Sequence, residues 1–149
     1  MITIKRDNIF DTTMQCIVNP VNTDGVMGAG LALVFKKKFP DMYKTYKNLY
    51  QQGKINIGKP QLFIDHKTKT YILNFPTKKH WWNPSKLEYI NEGLRYFSSH
   101  YKTYKINSIA FPALGCGKGG LKWEDVYEVM MNNLKQLPIK IEIYMPQNN

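Results

Sequence analysis

The segment with the clearest chemical potential is the glycine-rich run 114–121, which reads Leu-Gly-Cys-Gly-Lys-Gly-Gly-Leu. It follows the apolar run 109–113 and leads into a helical segment that begins near Trp123. Glycines at this density let a backbone approach a ligand with its N–H groups exposed, and a helix N-terminus adds partial positive charge. The run therefore suits a phosphate or pyrophosphate, and a plain glycine-rich turn is the structural alternative.

Two common nucleotide-binding motifs fit this run poorly. It contains no Gly-Lys-Ser/Thr, so it lacks the lysine and the magnesium-binding hydroxyl of a P-loop. Its spacing approximates Gly-x-Gly-x-x-Gly, but the chain after Gly120 has room for only one helix and one strand. The sequence therefore excludes a P-loop and disfavours a Rossmann fold.

A second glycine-containing loop, residues 19–30, has the same setting. It reads Asn-Pro-Val-Asn-Thr-Asp-Gly-Val-Met-Gly-Ala-Gly, follows the apolar residues 16–18 and precedes a helical stretch at 31–35. Two strand–loop–helix units in one small domain can place two sets of backbone N–H groups on the same edge of a sheet. Together the loops predict a site that grips both phosphates of a diphosphate.

A lysine follows the apolar strand that ends at Phe75. Near buried glycine loops, Lys78 could lose proton affinity by desolvation and act as a nucleophile, or stay charged and stabilise a developing negative charge. Lys79 is the alternative candidate, and a solvated surface lysine is the structural alternative. The adjoining Trp81 and Trp82 could stack on an unpaired base beside these positive charges, or pack against the next helix.

Four ordered motifs resemble the macrodomain family, an ADP-ribose-binding module; they span 19–22, 25–30, 74–81 and 115–121. The resemblance covers nearly the whole chain. It is greatest to the branch that contains the DarG antitoxin macrodomain and the terminal ADP-ribose protein glycohydrolase, in which a lysine follows the central strand. It implies an α/β fold, a three-layer α/β/α macrodomain with a mixed six-stranded sheet, formed by one domain over residues 1–149.

The resemblance also implies roles for individual residues. Lys78 falls at the catalytic position, and Asn22 falls where an asparagine faces the modified thymine. An amide offers a donor and an acceptor to a base edge, although an Asx turn in the loop is the alternative. Contacts with ADP-ribose are expected at the adenine from Asp7 and Tyr144, and elsewhere from Asn19, Gly28, Gly30, Gly115, Cys116, Gly117 and Gly119.

The activity implied by the resemblance is removal of ADP-ribose from thymidine bases of single-stranded DNA, with a DNA ADP-ribosyltransferase toxin as a cognate partner. The terminal ADP-ribose protein glycohydrolase has a catalytic aspartate in the second glycine loop, where this chain has Gly119. That difference favours the DarG-like activity. The alternatives are hydrolysis of ADP-ribosyl-glutamate or of ADP-ribose 1″-phosphate, and an ADP-ribose-binding module without catalysis.

The elements that must position these residues can be read from periodicity and turn signals. Ser85 to Glu88 has the pattern of a capping box, and Trp123 falls on the apolar stripe of the last helix, which predicts a core position. The alternation of elements predicts an α/β sandwich. We expect strands at 2–6, 15–20, 61–65, 70–75, 107–112 and 139–144, and helices at 28–39, 41–51, 86–99 and 122–135.

Composition limits the remaining possibilities. A chain of 149 residues that is 43% apolar can form one substantial core. Its net charge of +10 suits nucleic acid, but a lysine-rich solvated surface from an AT-rich genome is equally consistent. With no long apolar run, two cysteines (Cys16 and Cys116) and isolated histidines, the sequence predicts a cytoplasmic monomer without disulfide, metal, cofactor or membrane contact.

Overall fold

The computed structural model describes residues 1–147, and its framework is a six-stranded sheet with two helices on each face. The strands are β1 (Ile2–Lys5), β2 (Cys16–Asn22), β3 (Gln61–Asp65), β4 (Thr70–Lys78), β5 (Ser108–Phe111) and β6 (Lys140–Tyr144). The helices are α1 (Gly30–Lys38), α2 (Pro40–Gln51), α3 (Leu87–His100) and α4 (Trp123–Leu134). The predicted domain 1–149 extends two residues beyond the described part, and its single-domain character stays a prediction.

The sheet has the strand order β1-β6-β5-β2-β4-β3. All neighbouring strands are parallel except β3 and β4, which pair antiparallel. The sheet is therefore mixed and six-stranded, as predicted. Because the parallel strands β2, β4, β5 and β6 all run in one direction, their carboxyl ends meet at one edge, where α/β sheets usually bind ligands.

Alternation along the strands divides the apolar residues between two cores. Ile109 and Phe111 of β5 pack with α3 and α4, whereas Ala110 between them packs with α1 and α2. Helices thus cover both faces, which confirms the three-layer α/β/α fold. Trp123 packs against the core beneath α4, as its position on the apolar stripe predicted.

Two strands continue beyond their predicted ends, which lay at Pro20 and just before Pro76. β2 reaches Asn22 instead of residue 20, and β4 reaches Lys78 instead of residue 75. A proline lacks the N–H that a strand in the middle of a sheet donates. β5 pairs with β2 only at Cys16 and Ile17. At Pro20 this side of β2 therefore has no neighbouring strand to which an N–H would donate.

The predicted capping box at the start of α3 is wrong. The N-cap residue is Lys86, with no side-chain cap hydrogen bond, and Ser85 is buried. The Ser85 N–H donates instead to the Gly119 carbonyl at 3.0 Å, which holds this serine against the second glycine loop. A short 3₁₀ turn at Ile9–Asp11 is a further element that the sequence pattern did not predict.

Gly93 lets α3 pack closely on the sheet, and we expect Gly93→Ala to destabilise the protein. A Cβ atom at Gly93 would lie 2.3 Å from Cζ of Phe75, whose side chain is fully buried. Alanine favours helix by about 1 kcal/mol over glycine, but overpacking a core costs about 1–3 kcal/mol. Urea denaturation should show a lower free energy of unfolding for Gly93→Ala and an unchanged one for Arg95→Ala, an exposed position on the same helix. Equal stability of the two variants would contradict the packing argument.

Candidate active site

A cavity of about 690 Å³ opens at the carboxyl edge of the sheet. The ends of β2 and β4, the start of α1 and the second glycine loop all contribute to its wall. Both glycine loops therefore border the same space, as their parallel settings predicted. Of the candidate residues, the wall includes Asn22, Gly28, Gly30, Lys78, Gly115, Gly117 and Gly119.

The first glycine loop is held by the side chain of Asn22. The Asn22 Nδ2 donates to the Val26 carbonyl at 2.9 Å, and its Oδ1 accepts from the Asp24 N–H at 3.0 Å. The Tyr46 hydroxyl donates to the Asn22 carbonyl from the buried face of α2. Asn22 thus lies at the cavity wall, but its side-chain amide forms hydrogen bonds within the first glycine loop. Recognition of a base by Asn22 stays a prediction.

The N-terminus of α1 faces the cavity. Gly28, Ala29 and Gly30 all line it, and the N-cap residue Ala29 has no side chain that could satisfy the first N–H groups of the helix. Gly30 has a φ of 57°, a left-handed conformation that favours glycine. Unsatisfied N–H groups and the helix dipole together make this edge suitable for an anion.

The second glycine loop folds back on itself. Gly115, with a φ of 74°, accepts a hydrogen bond from the Leu121 N–H at 2.9 Å. Gly119 is buried, and a Cβ atom there would lie 2.3 Å from the Ser85 Oγ and 2.6 Å from the Gly115 carbonyl oxygen. Glycine is therefore needed at 119 for steric reasons, independently of any ligand.

Lys78 reaches the cavity because β4 is irregular at its end. Val21 pairs with Pro76 and Asn22 with Lys78, so Thr77 is an extra residue in β4. Such a bulge re-aims side chains, and here both Thr77 and Lys78 line the cavity although neighbours in a strand normally point to opposite faces. Burial, and then the charge of Lys118, lowers the pKa of the Lys78 amine.

Lys79, the alternative candidate, does not line the cavity. Its Nζ lies 6.0 Å from the ring centre of Tyr89 on α3. The Lys79 carbonyl accepts hydrogen bonds from the backbone N–H and the hydroxyl of Thr23, at 2.9 and 2.8 Å. Of these two candidate lysines, Lys78 is therefore the one that lines the cavity.

A second cavity, of about 540 Å³, adjoins the first and shares Leu31, Pro112, Ala113 and Gly117 with it. Asp7, Cys116 and Tyr144 line this smaller cavity. The Tyr144 hydroxyl donates to Glu142 at 2.7 Å, and Asp7 is an exposed carboxylate 3.8 Å from the Lys5 amine. Asp7 and Tyr144, the two residues expected at the adenine, thus line the same cavity. Lys78 lines the other cavity, and Gly117 of the second glycine loop borders both.

Asn19 and Cys116 were both expected to contact ADP-ribose, and of the two only Cys116 lines a cavity. Asn19 is fully buried and lines neither cavity; its Nδ2 donates to the Asn74 Oδ1 at 3.0 Å. Its side chain therefore joins β2 to β4 behind the cavity wall. Cys116 does line the smaller cavity, but burial, with a further contribution from Glu124, raises the pKa of its thiol to about 11. A thiol that is protonated at neutral pH is a poor nucleophile.

Ser85 and Thr77 line the larger cavity although the sequence pattern did not identify them as site residues, and Trp81, which the sequence indicated as a possible base-stacking residue, lines it as well. The sequence predicts a helix cap at Ser85, and its contact with Gly119 has no local sequence signal because the two residues are far apart along the chain. Among residues 1–147, no group of three or more His, Cys, Asp and Glu side chains could hold a metal ion. No helix in this part of the chain is long and apolar enough to cross a membrane.

The chain is similar to known proteins in both sequence and structure. The Macro domain family model matches residues 18–130. A DNA ADP-ribosyl glycohydrolase of Thermus aquaticus is 39% identical over 100% of this chain, and a DNA ADP-ribosyl transferase–glycohydrolase fusion protein of Thermosipho africanus is 37% identical over 97%. This chain spans 42% of the length of each of these curated relatives.

Solved structures give the same result. The macrodomain of Mycobacterium tuberculosis DarG superposes with a TM-score of 0.95 at 40% identity, with 99% of each chain covered. Thermosipho africanus DarTG in complex with ADP-ribose superposes with a TM-score of 0.93 at 38% identity, covering 97% of this chain and 41% of that one. By family model, sequence identity and structure, this chain belongs to the macrodomain family.

Proposed function

We propose that this chain is an ADP-ribosyl hydrolase that removes ADP-ribose from thymidine bases of single-stranded DNA. The observation that carries the proposal is the position of Lys78, which lines the larger cavity together with both glycine loops and has a lowered pKa. The names of the curated relatives, DNA ADP-ribosyl glycohydrolase among them, support this choice of substrate. Because this chain spans only part of the length of these relatives, the assignment of their activity to it is a proposal.

The two cavities suggest how ADP-ribose would lie. Asp7 can accept a hydrogen bond from the adenine amine in the smaller cavity, where the Tyr144 ring offers an apolar surface. The diphosphate would pass Gly117, which borders both cavities, and meet the N-terminus of α1 at Gly30. The distal ribose then enters the larger cavity, and its anomeric carbon comes near Lys78.

Hydrolysis breaks the bond between the anomeric carbon and the base. The base leaves with the electron pair and takes up a proton, and a hydroxyl group from water joins the anomeric carbon. Lys78 can contribute as a neutral amine that bonds transiently to this carbon before water displaces it, or as a cation beside the departing base. No carboxylate lines the larger cavity in the described part of the chain, and of its two lysines, Lys78 and Lys118, we assign these roles to Lys78, whose pKa is lowered.

The proposal includes a toxin partner and a cytoplasmic location. A DNA ADP-ribosyltransferase must produce the modified base, and the Thermosipho africanus relative joins a transferase and a glycohydrolase in one polypeptide. Cys16 and Cys116 are both free thiols, which are common in the reducing cytoplasm. A monomer suffices for the reaction, because a single chain supplies both cavities.

A substrate comparison tests the proposed function. The protein would be incubated at equal concentrations with a thymidine-ADP-ribosylated single-stranded oligonucleotide, an ADP-ribosyl-glutamate protein and ADP-ribose 1″-phosphate, and product release would be followed. We expect the DNA to be hydrolysed fastest. Preferred turnover of the glutamate ester or the phosphate would reassign the substrate. Binding of ADP-ribose without release from any of the three would show a non-catalytic ADP-ribose-binding module.

A further inference from the structure

Two tryptophans project from the rim of the larger cavity. Trp81 and Trp82 are 58% and 62% exposed, and they lie three and four residues beyond Lys78, the last residue of β4. Trp81 lines the cavity, whereas Trp82 lies just outside it. Large aromatic side chains normally gain stability by burial, and a contiguous exposed pair marks a surface that meets a ligand or partner.

The pair is held in place by its neighbours. The His80 Nδ1 lies 2.7 Å from the Asp24 Oδ1, and the backbone N–H of Trp81 donates to the other oxygen of the same carboxylate at 3.2 Å. The His80 ring stacks on Trp82 with 4.6 Å between ring centres, and Trp81 meets Trp82 edge-on at 5.5 Å. Because Asp24 belongs to the first glycine loop, the tryptophans are fixed relative to the cavity.

Four lysines lie close to the tryptophans in sequence or line the cavity that Trp81 borders. Lys79 and Lys86 both approach the Tyr89 ring, with their amines 6.0 and 5.6 Å from its centre, and Lys78 and Lys118 line the adjoining cavity. The Asp24 carboxylate, which accepts a hydrogen bond from the Trp81 backbone N–H, is also paired with the His80 ring. Aromatic faces among lysines match the bases and phosphates of an unpaired nucleic acid strand.

We propose that Trp82, with Trp81 and the flanking Lys79 and Lys86, binds the nucleotide next to the modified base of a single-stranded DNA substrate. This inference rests on the proposed function. When ADP-ribose occupies the cavity, the modified base lies at the rim beside Lys78. The adjoining nucleotide of the strand then lies against Trp82. Stacking needs a free base face, which an unpaired strand offers and a duplex does not.

The test compares two substrates that differ only beyond the modified nucleotide. Trp82→Ala should lower kcat/KM about tenfold on an ADP-ribosylated oligonucleotide, mainly through KM, and leave kcat/KM on ADP-ribosylated thymidine mononucleoside unchanged. Trp82→Phe should restore most of the loss, since phenylalanine keeps a ring for stacking. Tyr127→Ala, which removes an exposed aromatic on α4, serves as the matched control. An equal loss on both substrates, or no loss on the oligonucleotide, would overturn the proposal.

A binding experiment separates this inference from the hydrolase function. The affinity for an unmodified, fluorescently labelled single strand can be measured by anisotropy without any turnover. We expect Trp82→Ala to weaken this binding, and Lys86→Ala to reduce the slope of log K against log salt by about 0.7. Intact binding by a protein that hydrolyses nothing would refute the proposed function alone. Undetectable binding to the strand would refute the proposal that the tryptophans bind DNA. A protein partner would then be the alternative occupant of this surface.

Discussion

Replacing Lys78 with alanine should lower the rate of ADP-ribose release from modified DNA by about 100- to 10,000-fold, the usual cost of removing a group that acts on the reacting atoms. Binding of free ADP-ribose should change little, because the glycine loops and the smaller cavity remain intact. Single-turnover kinetics would measure the first quantity and calorimetric titration with ADP-ribose the second. Together they separate loss of catalysis from loss of the site.

Lys79→Ala is the matched control for this experiment. It removes the same charge one residue along the chain, on a side chain that lies against Tyr89 outside the cavity. Hydrolysis of a minimal ADP-ribosylated nucleoside should therefore continue in Lys79→Ala. Full turnover by Lys78→Ala would refute the assignment, and loss of activity in Lys79→Ala alone would show that the neighbouring lysine acts.

The pH dependence of the same reaction distinguishes the two roles of Lys78. Burial and the nearby Lys118 both disfavour the charged amine, so its pKa lies below the ordinary lysine value. If the neutral amine attacks, the rate rises as pH increases through this pKa; if the cation is needed, the rate falls. In either case Lys118→Gln removes a repulsive charge, raises the pKa of Lys78 and moves the transition to higher pH. An unchanged transition would show that another group titrates.

The protonation of Lys78 also affects stability, in a direction that follows from the lowered pKa. The folded protein binds this proton less tightly than the unfolded chain, so folding is penalised while the amine is charged in both states. The penalty is fully present below the folded pKa and is relieved as pH rises from that pKa toward the ordinary lysine value. The site therefore holds a lysine at some cost to the fold, which is typical of functional residues.

The fold could be predicted from local patterns because most of its elements are periodic and end at clear turn signals. The bounds of β3 were predicted correctly, and those of α2, α3 and α4 to within one residue. Errors fell where tertiary contacts outweigh local preference. β2 and β4 continue through Pro20 and Pro76 because one neighbouring strand stops pairing before each proline, β5 at Ile17 of β2 and β3 at Asn74 of β4. Ser85 leaves its cap position because its N–H pairs with Gly119, far along the chain.

The candidate site was predictable in its backbone parts and less so in its side chains. The density of glycines predicted both loops, since closely spaced glycines are typical of a backbone that turns tightly or approaches a ligand. The β-bulge that turns Lys78 into the cavity depends on pairing between β2 and β4, which sequence spacing alone does not reveal. For the same reason the internal hydrogen bonds of Asn22 and the burial of Asn19 against Asn74 could not be read from the sequence.

Introducing an acid at Gly119 should abolish ADP-ribose binding rather than add a catalytic group. A Cβ atom at 119 would meet the Ser85 Oγ at 2.3 Å, the Gly115 carbonyl oxygen at 2.6 Å and the Ser85 Cβ at 2.9 Å. Two of these contacts involve a carbonyl and a carbon close to the backbone, so the loop must move to admit any side chain. Because Gly115, Gly117 and Gly119 together shape the cavity wall, a displaced loop no longer presents its N–H groups to the diphosphate.

The comparison of Gly119→Ala with Gly117→Ala isolates this steric effect from the added charge. No atom lies within 4 Å of a Cβ at Gly117, so urea denaturation should find Gly117→Ala as stable as the wild type and Gly119→Ala about 1–3 kcal/mol less stable. Ser85→Ala should not rescue Gly119→Asp, since it removes only the nearest of the three contacts. If Gly119→Asp instead bound ADP-ribose normally and hydrolysed the modified DNA faster, the loop would have room for an acid. Lys78 would then be only one of two groups that this cavity can use.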